Sequence, residues 1–140
     1  MNVRELSAGD VARAVALWRQ VELVRPWNDP ERDFFQALSA PSCAVLGAES
    51  EDELLGTVMV GFDGHRGWLY YVAVAPSHQG HGLGSALVEA AENWLRERGA
   101  RKTQLMVRRT NVGAGQFYAK RGYELSDAAV WQKWLGDGDA

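Results

Sequence analysis

The sequence predicts a mixed α/β fold, a single domain in which helices cover both faces of a central sheet. Three observations lead to this class. Helical periodicity occupies the first part of the chain, three apolar runs separated by short polar turns follow, and a strand and helix then alternate. Adjacent strand runs favour antiparallel pairing and the later alternation adds helix-connected strands, so the sheet is expected to be mixed.

Two helices are expected before the first long strand. Ser7 and Asp10 form a capping-box-like start, and the apolar residues that follow have helical spacing. These residues are Val11, Ala14, Val15 and Trp18. Pro26 disfavours helix in the residue before it, so the first helix ends by this point. Asp29 is a suitable N-cap and proline suits a first helical position, which predicts a second helix over Pro30–Leu38.

Three strands are expected next, as an antiparallel meander. The runs "SCAVLGAE" and "LLGTVMVGF" are joined by the acidic "SEDE", and "WLYYVAVA" follows the turn "DGHRG". Pro76 ends the third of these strands. The segment "NVREL" near the start of the chain is a candidate for one more strand.

The second half of the chain alternates between strand and helix. The glycine-rich "SHQGHGLGS" opens onto a long amphipathic helix that Gly99 follows, and "KTQLMVR" is a short strand. Asn111 is a plausible cap for a helix through Lys120, which Gly122 stops. The segment "YELSDAAVWQKW" is expected to form a final pair of short strands or a hairpin. The predicted order is ααβββαβαββ.

Length and composition limit the classes of protein. With 140 residues, 46% of them apolar and 24% charged, a single globular domain over residues 1–140 is expected. A net charge of −3, with no run of five basic residues, argues against a nucleic-acid partner. No apolar stretch reaches about 18 residues, so a membrane span is not expected. Cys43 is the single cysteine and the first residues lack a signal-like apolar core, which favours the cytoplasm.

The most informative segment is the loop Gln79–Ser85, "QGHGLGS", between a strand and the long helix. A helix N-terminus offers unpaired amide donors, and glycines let an anion approach the backbone. The loop therefore suits a pyrophosphate, although a plain glycine-rich connection is the alternative. It is not a P-loop, because no lysine follows Gly84, and it is not a dinucleotide fingerprint, because it follows an antiparallel hairpin in mid-chain.

The segment "VAVAPSHQGHGLGSALVEAAENWLRERGA" resembles motif A of the GCN5-related N-acetyltransferase (GNAT) family, and "NVGAGQFYAKRGYE" is similar to the family's second signature. The matching residues are Gln79, Gly82 and Gly84, followed by Asn111, Tyr118, Gly122 and Tyr123. The resemblance covers nearly the whole chain and implies a mostly antiparallel, splayed sheet flanked by helices. The segments "RPWNDP" and "GFDGHRG" also resemble a YpeA-like branch of bacterial acetyltransferases.

The resemblance implies acetyl-CoA as cosubstrate and no metal. Loop amides would hold its pyrophosphate, Val72 and Val74 would pair with the pantetheine arm, and the Val72 amide would polarise the thioester carbonyl. Asn111 would contact the pantetheine, cap its own helix, or do both. The residues expected to bind acetyl-CoA are Val72, Val74, Gln79, Gly80, His81, Gly82, Leu83, Gly84, Ser85, Asn111 and Tyr118.

Tyr118 occupies the position of the family's general acid, which faces the departing thiolate. The alternative is a core tyrosine packed against Phe117. No general base stands out; His65, Asp63 and Asp29 are candidates, and each lies in a turn, where a solvated polar residue is ordinary.

The acceptor pocket is expected at the break between the first two helices. The family places an acceptor wall in this region, and charged, aromatic and amide groups are concentrated there, although a packed proline turn is an equal alternative. The acceptor residues would be Arg25, Trp27, Asn28, Asp63 and His65.

Two further groups of side chains carry no chemistry in this interpretation. Cys43 is expected to be a small core residue, and His78 and His81 lack a third ligand for a metal.

The resemblance thus implies an N-acetyltransferase that moves the acetyl group of acetyl-CoA to a primary amine of a small molecule or peptide, by direct attack in a ternary complex. The alternative is a non-catalytic acetyl-CoA-binding sensor or regulatory module. Tyr118 speaks against the sensor, because a sensor needs no acid. An edge strand and six tryptophans favour a homodimer, without deciding the oligomeric state.

Overall fold

The computed structural model describes residues 2–136, and these residues form five strands and four α-helices. The strands are β1 (Asn2–Glu5), β2 (Cys43–Ser50), β3 (Glu53–Phe62), β4 (Gly67–Val74) and β5 (Thr103–Leu105). The helices are α1 (Val11–Gln20), α2 (Pro30–Ser39), α3 (Leu83–Glu97) and α4 (Val112–Ala119). The predicted order is confirmed as far as α4, and the candidate strand near the start of the chain is confirmed as β1.

The sheet is mixed, as predicted, and its strands lie in chain order. β1 to β4 pair antiparallel with their neighbours, whereas β5 pairs parallel with β4 because α3 connects the two. The parallel pairing is short and runs only from Gly67 opposite Thr103 to Leu69 opposite Leu105. β4 continues for five more residues, to Val74, without a partner on that side.

Adjacent residues of β3 show which helices cover which face. A Cβ placed on Gly56 would lie 2.6 Å from a Leu87 methyl of α3, so this face of the sheet packs directly on α3. The next residue, Thr57, points to the opposite face, where its hydroxyl accepts a hydrogen bond from the Trp18 indole of α1. The core therefore lies in two layers, with α1 and α2 on one side of the sheet and α3 on the other.

A buried carboxylate joins β1, α1 and β2. The Asp10 side chain is 7% exposed and accepts hydrogen bonds from the Arg4 and Arg13 guanidinium groups and from the Ser7 amide. Both arginines also pair with Glu49 of β2. The hydrogen bonds from Arg4 hold the pKa of Asp10 far below its ordinary value, against the opposing effect of burial.

The predicted strand pair at "YELSDAAVWQKW" is wrong. Among the described residues after α4, up to residue 136, the structure contains no strand. Five large apolar side chains here are exposed instead: Leu125, Val130, Trp131, Trp134 and Leu135. A strand needs a partner, and an isolated two-stranded ribbon is barely stable in water, so apolar periodicity alone does not make this segment a hairpin. None of the helices described between residues 2 and 136 is both long and apolar enough to cross a membrane.

Candidate active site

A bulge in β4 organises the site. Thr57 lies opposite Ala73 and Met59 lies opposite Tyr70, so two residues of β4, Tyr71 and Val72, face the single residue between Thr57 and Met59. Tyr71 takes φ 51°, in the left-handed region that a bulky residue seldom adopts. The surrounding packing must therefore hold this conformation in place.

Three side chains from other elements supply that support. The Trp18 indole donates to the Thr57 hydroxyl at 2.8 Å, and that hydroxyl donates to the Tyr71 carbonyl at 2.9 Å. The Trp18 and Tyr71 rings stack with centroids 3.8 Å apart. The Tyr71 hydroxyl donates to the Asp33 carboxylate of α2 at 2.6 Å. Burial, and then the Asp33 carboxylate, raise the pKa of Tyr71 far above its ordinary value, so it stays a donor.

The bulge changes which backbone groups face β5. Before it, the Gly67 amide donates to the Lys102 carbonyl at 2.8 Å, so Gly67 and Leu69 direct their backbone groups towards β5. After it, the Ala75 amide donates to the Leu55 carbonyl beside β3 at 2.8 Å. By alternation, the backbone groups of Val72 and Val74 point away from β3, into the gap where β4 has no partner. We call this gap the slot; it runs from Tyr70 to Val74.

The glycine loop continues from the end of the slot. The Gln79 side-chain amide donates to the Val74 carbonyl at 3.0 Å and so joins the loop to the strand. Gly80 and Gly82 take φ 81° and 85°, and a Cβ on either residue would meet no atom within 4 Å. Both glycines are therefore required by the backbone, and both have open space beside them.

The loop ends in unpaired donors at the start of α3. Gly82 is the N-cap, and the first helical hydrogen bond runs from the Ala86 amide to the Gly82 carbonyl. The amides between them therefore have no partner within the helix. They belong to Leu83, Gly84 and Ser85. The Leu83 side chain is buried in the core, so only its backbone is available there, whereas His81 is exposed beside the loop.

Arg121 adds a cation that the sequence analysis missed. Its guanidinium donates to the Ser85 hydroxyl and to the Phe117 carbonyl, and it lies 3.6 Å from the Phe117 ring centroid. The buried Nε of the same side chain has no hydrogen-bond partner within the described residues. The signal available in the sequence was the basic pair "KR" before Gly122. The helix N-terminus and the guanidinium together make this end of α3 suited to an anion.

Tyr118 lies half-buried on α4. Its ring packs edge-on against Phe117 and Tyr123, with centroids 5.0 Å and 5.6 Å away. Its hydroxyl makes no hydrogen bond to the described residues and is not among the fully buried unpaired atoms, so solvent reaches it. Burial raises the pKa of Tyr118, with nearby Arg121 opposing the rise. The phenol is therefore protonated at neutral pH; its role as an acid stays a prediction.

Asn111 caps α4, since its side-chain oxygen accepts from the Ala114 amide at 3.1 Å. The cap alternative is thus confirmed, and the contact to pantetheine stays a prediction. Asp29 likewise caps α2 by accepting from the Arg32 amide at 3.1 Å, which occupies one carboxylate oxygen of this candidate base.

The loop between α1 and α2 lies beside the bulge. The Trp27 ring is 5.6 Å from the Arg108 guanidinium, which follows β5, and the Asn28 side chain is near enough to the Tyr71 hydroxyl to oppose the rise in its pKa that burial causes. The loop therefore reaches both strands that border the slot. Arg25 belongs to the same loop, and its carbonyl accepts from the Asn28 amide at 2.9 Å.

Asp63 and His65 lie elsewhere, in the turn before β4. The Asp63 carboxylate accepts from the Arg66 and His65 amides at 2.7 Å and 2.8 Å, and these bonds lower its pKa. His65 lines a cavity of about 550 Å³ beside Arg66, Arg101 and Lys102. Within residues 2–136, no hydrogen bond or ring contact joins this turn to the α1–α2 loop. The predicted meeting of the two groups stays a prediction.

The remaining candidates have ordinary surroundings. Cys43 is half-buried at the start of β2, as expected of a small core residue. His78 pairs with the Ser77 hydroxyl at 2.8 Å. Across the described part of the chain, no three His, Cys, Asp or Glu side chains are grouped to hold a metal ion.

Known proteins resemble this chain in sequence and fold. A family model described as the Acetyltransferase (GNAT) family matches residues 12–123. An acetyltransferase of Pectobacterium atrosepticum is 39% identical over 135 residues, or 96% of each chain. One of Sodalis glossinidius is 38% identical over 130 residues, 93% of this chain and 92% of its own. A solved complex of the aminoglycoside N-acetyltransferase AAC(6')-Iy with the bisubstrate analogue CoA-S-monomethyl-acetylneamine has a TM-score of 0.82 at 16% identity, over 95% of this chain and 97% of that one.

These likenesses and the fold define the protein as an acetyltransferase. More particularly, the chain belongs to the GNAT family, whose model covers most of its length. The family resemblance of the two sequence signatures is thereby confirmed, and so is the mixed, mostly antiparallel sheet flanked by helices. The YpeA-like branch stays a prediction.

Proposed function

We propose that the protein transfers the acetyl group of acetyl-CoA to a primary amine of a small molecule or peptide, by direct attack in a ternary complex. One observation carries the proposal. The backbone of Val72 and the amide of Val74, which point away from β3 where β4 has no other strand beside it, lead directly to the free amides at the start of α3. An amide-bearing arm that ends in a diphosphate needs those two kinds of partner in that order.

The loop fits a pyrophosphate on two counts. Open space beside Gly80 and Gly82 lets an anion reach the backbone, and the amides of α3 point at it with the positive end of the helix dipole. Arg121 supplies a charge at the same place. CoA complexes of a structural neighbour support the same cosubstrate.

The chemistry needs few protein groups. Acetyl-CoA supplies the activated acyl group and a thiolate leaving group. The Val72 amide, freed from β-pairing by the bulge, is available to donate to the acetyl carbonyl oxygen as negative charge develops there. Tyr118 is protonated and its hydroxyl has no described partner, so it is able to donate to the departing sulfur.

The acceptor would enter beside the α1–α2 loop. Trp27 is 44% exposed there, and Asn28 and Arg25 provide polar groups. Asp63 and His65 lie in the turn before β4, and along that strand the Trp68 ring stacks with the ring of Tyr70 at the start of the slot, with centroids 6.5 Å apart. A cationic amine suits aromatic rings flanked by carboxylates. The acetylneamine analogue of the solved neighbour supports a small amine acceptor.

The test is release of free thiol from acetyl-CoA across amines, polyamines, amino acids and peptides. We expect at least one acceptor to give saturable turnover with formation of its acetylated product. Binding of acetyl-CoA without turnover on any acceptor would favour the sensor, and absence of binding would refute the site altogether.

The acceptor residues are tested separately with the acceptor so found. Arg25→Ala should raise its KM several-fold while leaving the KM for acetyl-CoA unchanged. If His65→Ala has no effect when Arg25→Ala does, the turn before β4 lies outside the acceptor pocket. If neither has an effect, the acceptor binds elsewhere.

A further inference from the structure

A cavity of about 550 Å³ lies at the end of the sheet where β4 and β5 begin. Its walls are the turn before β4, residues 62–66, and the loop between α3 and β5, residues 99–102. This volume is in the usual range of small-molecule sites, about 300–1,000 Å³. The glycine loop lies at the other end of α3, a helix of 15 residues and therefore about 22 Å long. The cavity is thus separate from the proposed pyrophosphate site.

Cationic side chains from both walls line this cavity. Arg66 comes from the turn, Arg101 and Lys102 come from the loop, and His65 lies beside Arg66. None of the ion pairs described between residues 2 and 136 includes any of these four side chains. The whole chain carries a net charge of −3, so this concentration of positive charge is a local feature. We call the site the basic cavity.

Hydrogen bonds hold the two walls together. The Gly67 amide donates to the Lys102 carbonyl at 2.8 Å, which ties the turn to the loop. The Asp63 carboxylate accepts from the Arg66 and His65 amides and so fixes the turn itself. The Arg66 guanidinium donates to the His65 carbonyl at 3.1 Å. The walls are therefore formed before any ligand binds, and three cations remain against the single carboxylate of the turn.

The C-terminal end of α3 also borders the basic cavity, and its helix dipole would oppose an anion. The chain reduces this effect by capping the last carbonyls of the helix. The Arg98 guanidinium donates to the Trp94 carbonyl at 2.9 Å, and the Ala100 amide donates to the Leu95 carbonyl at 3.0 Å. An incoming anion therefore meets the cations of the two walls rather than a set of free carbonyls.

We propose that the basic cavity binds a small molecule through a multiply charged oxyanion group, either a phosphate or a cluster of carboxylates, at a site distinct from that of acetyl-CoA. Guanidinium groups donate paired hydrogen bonds to such oxyanions, and the lysine adds a point charge. Cations on two walls approach one ligand from two sides. Salt screens exposed charges, so a multivalent anion is favoured over chloride.

The test is a titration of the isotope-labelled full chain with sodium pyrophosphate and, separately, with citrate, at constant ionic strength. NMR follows the amide signals one by one. We expect at least one probe to give saturable shifts at residues 64–67 and 99–102. Pyrophosphate alone would assign a phosphate ligand, and citrate alone a polycarboxylate. Shifts at residues 82–85 report the glycine loop, so the outcome at the basic cavity does not depend on the proposed function.

A double variant removes the charge of one wall. Arg101→Gln, Lys102→Gln should fold, because both side chains are exposed and the bond to Gly67 uses only the Lys102 backbone. It should weaken binding at the basic cavity at least about tenfold, since hydrogen bonds to charged groups contribute about 1.5–3 kcal/mol each. Arg19→Gln, Arg32→Gln removes the same charge from exposed positions on α1 and α2 and should bind the probe like the wild type.

Arg66→Gln tests the opposite wall and should weaken binding by a similar factor. No shift at residues 64–67 or 99–102 with either probe, up to about 20 mM and so well above a Kd of about 1 mM, overturns the proposal. So does a double variant at Arg101 and Lys102 that binds as tightly as the control at Arg19 and Arg32, because the shifts would then report overall charge and not the cavity.

Discussion

Replacing Thr57 by valine removes one hydroxyl from the core with little change of shape. The side chain is fully buried, and its hydroxyl both accepts from the Trp18 indole and donates to the Tyr71 carbonyl. In the variant, that donor and that acceptor are left without partners. Each unsatisfied buried group costs about 1–3 kcal/mol, so the loss for the two groups should be about 2–6 kcal/mol.

The loss is measurable without unfolding the protein. Most of this range lies below the stability of a typical domain, about 5–15 kcal/mol, and at this chain length it corresponds to a drop in Tm of roughly 7–20 °C. Thr57→Ser is the matched control. It keeps the hydroxyl and removes one buried methyl group, which costs about 1 kcal/mol.

Measurements of activity should distinguish a local effect on the bulge from a loss of overall stability. Without the Thr57 hydroxyl the bulge loses one of its three supports, and the backbone of Val72 and Val74 is held less firmly towards the slot. Assayed well below its Tm, Thr57→Val should raise the KM for acetyl-CoA by about tenfold or more, equivalent to 1.4 kcal/mol of binding, and Thr57→Ser should be close to wild type. A valine variant with wild-type stability and wild-type KM would refute this account of the bulge.

Three further predictions concern single side chains. Tyr118→Phe should lower kcat and kcat/KM together by about 10²-fold or more, with the affinity for acetyl-CoA nearly unchanged. The reason is that a hydrogen bond to the leaving sulfur strengthens only in the transition state. A variant with wild-type kcat would show that Tyr118 has only a packing role. Arg121→Ala should raise the KM for acetyl-CoA, with partial recovery in Arg121→Lys, and no change would exclude it from the anion site. Asp10→Asn should destabilise the protein by about 2 kcal/mol at pH 7, measured by urea unfolding. Because folding lowers the pKa of Asp10, its contribution to the free energy of unfolding is complete above the pKa it has in the unfolded chain and is lost as the pH falls. The difference in free energy of unfolding between variant and wild type should therefore shrink towards pH 3. A difference that stays constant would contradict the assigned cause.

Features that depend on nearby residues were predictable from the sequence. The caps at Asp29 and Asn111 are bonds to amides three residues ahead, and the structure contains both. The loop glycines were recognised for the same reason, since positive φ and a following helix leave a local signature. Element order as far as α4 followed from these signals and from periodicity.

Features that depend on residues far apart in the chain were not predictable from the sequence. The bulge at Tyr71 exists because Trp18, Thr57 and Asp33 come from three other elements, and no local pattern marks a tyrosine for positive φ. The prediction of a final strand pair was wrong for a related reason. A strand needs a partner strand, and within the described residues this segment has none and leaves its large apolar side chains exposed.

The central claim is that the loop Gln79–Ser85 and the slot bind acetyl-CoA, and the most direct measurement is the ligand-dependent shift in Tm. At about 100 times its Kd, acetyl-CoA should stabilise the wild-type protein by about 2.7 kcal/mol. Gly82→Val should abolish the shift by blocking the backbone. Gly99→Val, with the same positive φ and equal open space at the other end of α3, should keep it. A folded Gly82→Val protein with the full wild-type shift would contradict the claim.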